Sequence, residues 1–130
     1  MPKAIDIEEV LSGLVPLDGR KETTTKSEVE SAFATLSEYD RGGVFLGSFS
    51  GESEWERHPV GDELVQVISG QTFLTILEDA DEEVLNLSAG MLTIVPQSRW
   101  HKFRSENGVT LLTMTPQPTD HSNAEDPRKE

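Results

Sequence analysis

No cysteine occurs among the 130 residues. Disulfides, thiolate zinc sites and cysteine nucleophiles are thereby excluded, and the absence fits a reducing compartment. No apolar run approaches the roughly 20 residues that a membrane helix requires. The opening stretch MPKAIDIEEVLSGLVP carries acids inside its only apolar segment, unlike a secretory leader. The expectation is therefore a cytoplasmic protein. Positive charge is scarce: 11 lysines and arginines face 24 acids, a formal net charge of −13. Such a surface repels phosphate backbones and anionic lipids, so no nucleic-acid and no membrane partner is expected. A small anionic substrate stays compatible, because a local cation reverses the field inside a pocket. The glycine-containing stretches GGVFLG and GSFSG lack the lysine and the following helix of a phosphate loop. No serine stands in the glycine context of a nucleophile elbow.

What is present concentrates in the middle of the chain. The length suits one domain with one hydrophobic core, and no repeat of 20–50 residues interrupts it. Between residues 43 and 115 the segments GVFLGSF, ELVQVIS, TFLTILE, EVLNL, MLTIV, HKFRS and VTLLTMT are rich in β-branched and aromatic residues. Turn signals (SGES, PVGD, SGQ, EDADE, SAG, PQSR, ENG) separate them. Short strands at that spacing predict an all-β sandwich or barrel, and the connections are too short for parallel crossovers. Residues 1–42 are expected to form a short helix and an extended arm packed on it. Ile7, Val10, Leu11 and Leu14 recur at helical spacing, with Asp6 to cap the start and Gly13 to end it. In SEVESAFATLSEYD, Ser27 and Glu30 resemble a capping box. The DRGG turn that follows points instead to a strand, and a strand is the expectation there. Residues 116–130, PQPTDHSNAEDPRKE, hold three prolines and no large apolar side chain. They are expected to be a flexible tail, with His121 in it playing no part.

The chemistry gathers in WERHPVGDEL. Extended-chain alternation places Glu54, Glu56 and His58 on one face and Trp55 and Arg57 on the other. The turn Pro59–Asp62 then reverses the chain, and Glu63 opens a strand whose Val65 and Val67 belong to the interior. Two carboxylates and an imidazole facing that interior are costly to bury unless a cation joins them. A second stretch, AGMLTIVPQSRWHKF, brings His101 to the start of another strand. Glu56, His58, Glu63 and His101 together offer two nitrogens and two carboxylate oxygens, a set suited to Mn, Fe, Ni or Zn. Each has a plainer alternative: a hydrogen-bonded histidine beside a proline turn, or a rim acid at Glu56 paired with Arg57 or Arg99. Glu54 is expected to face water. Trp55, Trp100, Phe49, Phe73 and Phe103 are read as core or interface packing, and Gly70 and Gly90 as turn glycines.

The two stretches resemble the paired motifs of the cupin superfamily, in particular its small single-domain members. Glu56, His58, Glu63 and Gly70 fall at the spacing of the first motif, and Gly90, Pro96 and His101 at that of the second. Glu56 stands where the family has its first histidine, Ser50 aligns with its first glycine, and Ser98 and Ser105 replace the second motif's glycine and asparagine. The resemblance implies an antiparallel double-stranded β-helix, a jelly-roll barrel over residues 43–115, with a divalent metal ion held in its mouth by Glu56, His58, Glu63 and His101. It implies either an enzyme acting on a small oxygenated organic molecule, with Glu56 as fourth ligand or as general base, or a non-catalytic small-ligand-binding module with structural or no metal. A metal-free epimerase-like barrel would need an acid–base pair for which Tyr39 is the only tyrosine. Edge strands predict a homodimer, pairing through the N-terminal segment or the strand near residues 43–50.

Overall fold

The computed structural model describes residues 2–21 and 23–129. Two short helices and a turn of 3-10 helix accompany nine strands: α1 (Ile7–Ser12), β1 (Leu17–Arg20), α2 (Lys26–Ala32), β2 (Phe33–Tyr39), β3 (Gly42–Glu52), β4 (Trp55–Arg57), β5 (Glu63–Leu77), β6 (Glu82–Ser88), β7 (Leu92–Val95), β8 (His101–Pro116) and β9 (Asp120–Ser122). The all-β expectation with a short N-terminal helix holds. Helix α1 starts at Asp6, whose side chain accepts from the Glu9 amide at 3.2 Å, and ends at Gly13.

Three long strands, β3, β5 and β8, form the frame. β8 lies antiparallel between β3 and β5, with Leu46 opposite Leu112 and Val65 opposite Thr113. β6 and β7 share the far side of β5, and β2 covers the outer side of β3. β1 also pairs with β3, in parallel, the exception to the antiparallel expectation. The core consists of Phe49, Val65, Val67, Leu74, Ile76, Leu87, Val95, Phe103, Val109 and Leu111.

β5 and β8 were expected as two short strands each, separated at Gly70 and near Gly108. Each is instead one bent strand. Along β5 the buried side chains are Glu63, Val65 and Val67 and then Thr72, Leu74 and Ile76, a one-residue change of phase across the bend. Gly70 has φ +81° and Gly108 φ +109°, and a Cβ on Gly70 would run into the Gly108 carbonyl oxygen. Glycine is required there because two backbones touch at a corner while one face stays inward. Gly90, by contrast, sits with φ +89° in the open turn between β6 and β7.

Three further expectations are corrected. SEVESAFATLSEYD is not all strand: it opens as α2, and the capping box is two residues earlier than read, with Thr25 accepting from the Glu28 amide and Glu28 from the Thr25 amide. The strand near residues 43–50 is not free to pair across subunits. β3 is held by β8 on one side and by β2 and β1 on the other. The C-terminal residues differ from the flexible tail expected. β9 pairs with β4, with Glu56 opposite His121, Asp120 binds the Arg57 guanidinium at 2.9 and 3.1 Å, and Arg128 donates to the carbonyls of Glu78 and Asp81. Backbone pairing and ion pairs fix a segment too polar to be fixed by apolar burial.

Candidate metal centre

The candidate ligands arrive from strand ends of the barrel. His58 follows β4, Glu63 opens β5 and His101 opens β8. His101 sits between its neighbours in the sheet, opposite Glu56 of β4 and Ile76 of β5. The inward phase of β5 that buries Val65 and Val67 also turns Glu63 inward, and the phase that buries Phe103 does the same for His101. The result is three polar side chains almost wholly removed from solvent: His58 at 4%, Glu63 at 5% and His101 at 1% exposure.

Each of the three is held from behind. The Thr119 hydroxyl lies 3.0 Å from His58 Nδ1. Thr115 Oγ1 donates to Glu63 Oε2 at 2.6 Å. His101 Nδ1 donates to the Arg99 carbonyl at 3.1 Å, which leaves Nε2 as the atom with a free lone pair. What remains are His58 Nε2, Glu63 Oε1 and His101 Nε2, all buried and all without a hydrogen-bond partner. They face one another: His101 Nε2 is 3.0 Å from Glu63 Oε1, and His58 Nε2 is 3.4 Å from Glu63 Oε2, neither with hydrogen-bond geometry. One donor atom from each residue lies within 4.8 Å of the others. Nitrogen and oxygen donors bind such ions at about 2.0–2.2 Å, so atoms separated by 3.0 and 3.4 Å are close enough to share one ion.

The electrostatics agree. Burial by itself pushes the Glu63 carboxyl up, but the His101 and His58 imidazoles facing it outweigh burial and hold it at about 2. For His101 burial works against the charged form, yet the contact with Glu63 and the nearby Glu56 charge raise its pKa. The lowered Glu63 and raised His101 both describe an ionised carboxylate facing the imidazoles, a buried negative charge that a proton on His101 or a bound cation would balance. The donor set of two nitrogens and an oxygen fits Mn, Fe, Ni or Zn alike.

A cavity of about 490 Å³ opens onto this cluster. His58 and Glu63 line its inner end, Phe33, Phe45, Phe49 and Leu111 its walls, and Arg20, Lys26, Glu56 and His121 contribute charge. Glu56 thus shares the cavity with the three ligands but is not one of the three grouped atoms. Arg57 and Arg99 do not line it: Arg57 pairs with Asp120 and covers the Trp100 ring at 4.4 Å, and Arg99 pairs with Glu78. Trp55 is buried beneath the Lys102 ammonium, and Phe73 lies under Arg104. His121 is 2.8 Å from Glu54, so two residues read as bystanders hold each other at the rim.

A family model described as a cupin domain matches residues 49–115. The chain belongs to the cupin family. Among curated relatives, this cupin is 32% identical over 71 residues to the uncharacterized protein YdbB of Bacillus subtilis (strain 168), 55% of this chain and 60% of that one. The chain thus spans less than two thirds of that relative's length. Among solved structures, it resembles protein NMB1881 from Neisseria meningitidis with a TM-score of 0.58, 20% identity and coverage of 92% of this chain and 100% of the other. It also resembles hydroquinone 1,2-dioxygenase from Sphingomonas sp. TTNP3 with 4-hydroxybenzoate bound, with a TM-score of 0.63, 15% identity and coverage of 86% and 72%. At these identities the structural likenesses speak for the fold.

Sequence reasoning missed three residues at the site. Thr115 and Thr119 lie beyond or at the edge of the motifs, and Arg20 stands in the N-terminal arm. Thr115 was reachable from the outset: its position near the end of a strand antiparallel to β5 brings it opposite Glu63. Nothing local marks Thr119 or Arg20.

Proposed function

We propose that this cupin holds one divalent metal ion through His58, Glu63 and His101 and acts on a small oxygenated organic molecule in the adjoining cavity. The observation that carries the reading is the set of three buried, mutually facing donor atoms left without partners while every other polar atom of those side chains is engaged. A divalent ion held there supplies Lewis-acid polarisation of a substrate oxygen. The chain does the rest. His58 and Glu63 reach the cavity wall, so the donor cluster opens on the ligand space. Thr115, Thr119 and the Arg99 carbonyl fix the orientation of the ligands. Phe45, Phe49 and Leu111 exclude water from the substrate body. Glu56, outside the ligand trio but in the same cavity, takes the role of general base, moving a proton to or from the substrate.

Elemental analysis of protein purified without a histidine tag, followed by reconstitution with Mn, Fe, Ni and Zn in turn, tests the reading. About one equivalent bound by the wild type and none by Glu63→Gln is expected. Failure to take up any of the four ions ends it. A bound ion without an exchangeable water or ligand position favours a non-catalytic binding module instead.

The homodimer reading moves to another edge. β7 pairs only with β5 among the described residues, and its Leu92 and Ile94 are about half exposed, beside Met91. A second copy of the chain laid on that edge covers both the open backbone and the apolar side chains. Sedimentation of a Leu92→Lys, Ile94→Lys variant at half the wild-type mass is the expected result. A monomeric wild type excludes the dimer.

A further inference from the structure

Among the described residues, Arg20 is a guanidinium without an ion-pair partner. It ends β1 and lines the cavity. Its guanidinium lies over the Phe49 ring at 4.8 Å from the centroid and over Phe33 at 5.7 Å. These two rings are themselves 6.1 Å apart. Phe33 can lie there because residue 47 is glycine: a Cβ on Gly47 would collide with the Phe33 ring. The two ring contacts place the guanidinium over the aromatic wall of the cavity. Among the described residues no carboxylate lies within ion-pair distance of it and no acceptor receives its N–H groups. Burial opposes its charge, and Glu56 and Glu54 support it from a distance. Arg57 and Arg99, the guanidiniums that the sequence offered as partners of Glu56, are already engaged by Asp120 and Glu78.

A planar fork of N–H donors that faces a cavity and has no partner matches one ligand group above others, a carboxylate. Phe33, Phe45, Phe49, Phe103 and Leu111 give the cavity that Arg20 shares with His58 and Glu63 its large apolar walls, beside threonine and glutamine side chains, so the space suits a ligand whose body is largely apolar or aromatic. The field selects charge as well. Glu56 and Glu63 line the same space, the ammonium there, Lys26, is largely exposed and faces Glu30, and the chain as a whole carries −13, a balance that favours a monoanion over a dianion such as phosphate.

We infer that Arg20 is the specificity-determining residue of the cavity, binding the carboxylate of a small apolar or aromatic monocarboxylic acid whose other end points at His58 and Glu63. This deepens the proposed function and rests on it for the orientation of the ligand. Carboxylate recognition itself is independent of the metal, and the test uses that independence.

Phenylacetate and its neutral counterpart phenylacetamide are titrated into chelator-treated, metal-free full-length protein, with affinities read from amide chemical shifts. Wild type is expected to bind phenylacetate at least tenfold more tightly than phenylacetamide. Arg20→Gln is expected to remove that preference while leaving phenylacetamide affinity within about twofold. Arg20→Lys, which keeps the charge but loses the fork, retains only part of the preference and covers the case in which the glutamine variant fails to fold. Arg104→Gln, which removes a positive charge outside the cavity, leaves the preference intact. Equal binding of the two probes by wild type, no binding of either, tighter binding of inorganic phosphate, or a preference that survives in Arg20→Gln each overturns the inference. Metal uptake of Arg20→Gln, measured separately, is expected to equal that of wild type. A wild type that takes up no metal yet prefers the carboxylate refutes the metal reading alone.

Discussion

The inner end of the cavity and its mouth are built on different terms. At the inner end every contributing residue sits on or beside a barrel strand, is buried, and is braced from behind: His58 by Thr119, Glu63 by Thr115, His101 by the Arg99 carbonyl. At the mouth, Arg20 and Lys26 come from the N-terminal arm and His121 from β9, and they are partly or largely exposed. The inner end is fixed by the register of β5 and β8, since a one-residue slip would send Glu63 or His101 to the other face. The mouth is fixed by segments that merely lie against the frame. Changes in the arm and tail would therefore alter the lining of the mouth while leaving the buried cluster in place.

The sharpest way to break that comparison is at the inner end. His101→Ala removes one of three donors and is expected to abolish stoichiometric metal binding, measured by elemental analysis after gel filtration, while the far-ultraviolet spectrum stays that of a β protein. Thr115→Val should be milder. It deletes the hydroxyl that bonds Glu63 Oε2, keeps the shape, and should weaken metal affinity about 10- to 100-fold, the range typical of lost supporting hydrogen bonds. A competition titration against a chromophoric chelator reads it, and an unchanged affinity would mean that Glu63 needs no bracing. Truncation after Pro118 tests whether the tail belongs to the mouth alone. It removes Thr119 and β9, so the His58 imidazole loses its partner, and a loss of roughly tenfold in metal affinity is expected. The smallest effect concerns acid stability. Asp126 is held at about 2, below the usual 3.8, chiefly by its hydrogen bonds to Arg128. A depressed carboxyl contributes stability that is present above about pH 4 and lost as pH falls toward 2. Asp126→Asn should therefore flatten the acid limb of the Tm profile slightly between those values and leave Tm at neutral pH little changed, because the pair is at the surface.

Part of this was legible beforehand. The buried grouping of His58, Glu63 and His101 was readable because strand periodicity and turn position together state which face a residue takes, and all three lie within a residue or two of a turn. The strand count was misread for a physical reason: a glycine beside serine or asparagine signals a reversal and a bend with equal strength. Gly70 and Gly108 bend β5 and β8 without ending them. The α2 helix was hidden because the true cap, Thr25, precedes the apparent one at Ser27 by two residues, and both have an acid three positions on. The tail was judged by apolar content, whereas β9 is held by backbone pairing to β4 and by the Arg57–Asp120 pair.

By itself the sequence determined the β-rich frame, the inward phase of its strands and the residues able to ligate a cation, because these follow from alternation and spacing along one chain. Only the tertiary structure decided that Glu56 stands apart from the ligand trio, that Arg20 rather than Arg57 or Arg99 faces the cavity, and that the tail reaches His58. Those relations join segments dozens of residues apart, and their distances are set by how three bent strands cross at glycine corners, a geometry that no local pattern encodes.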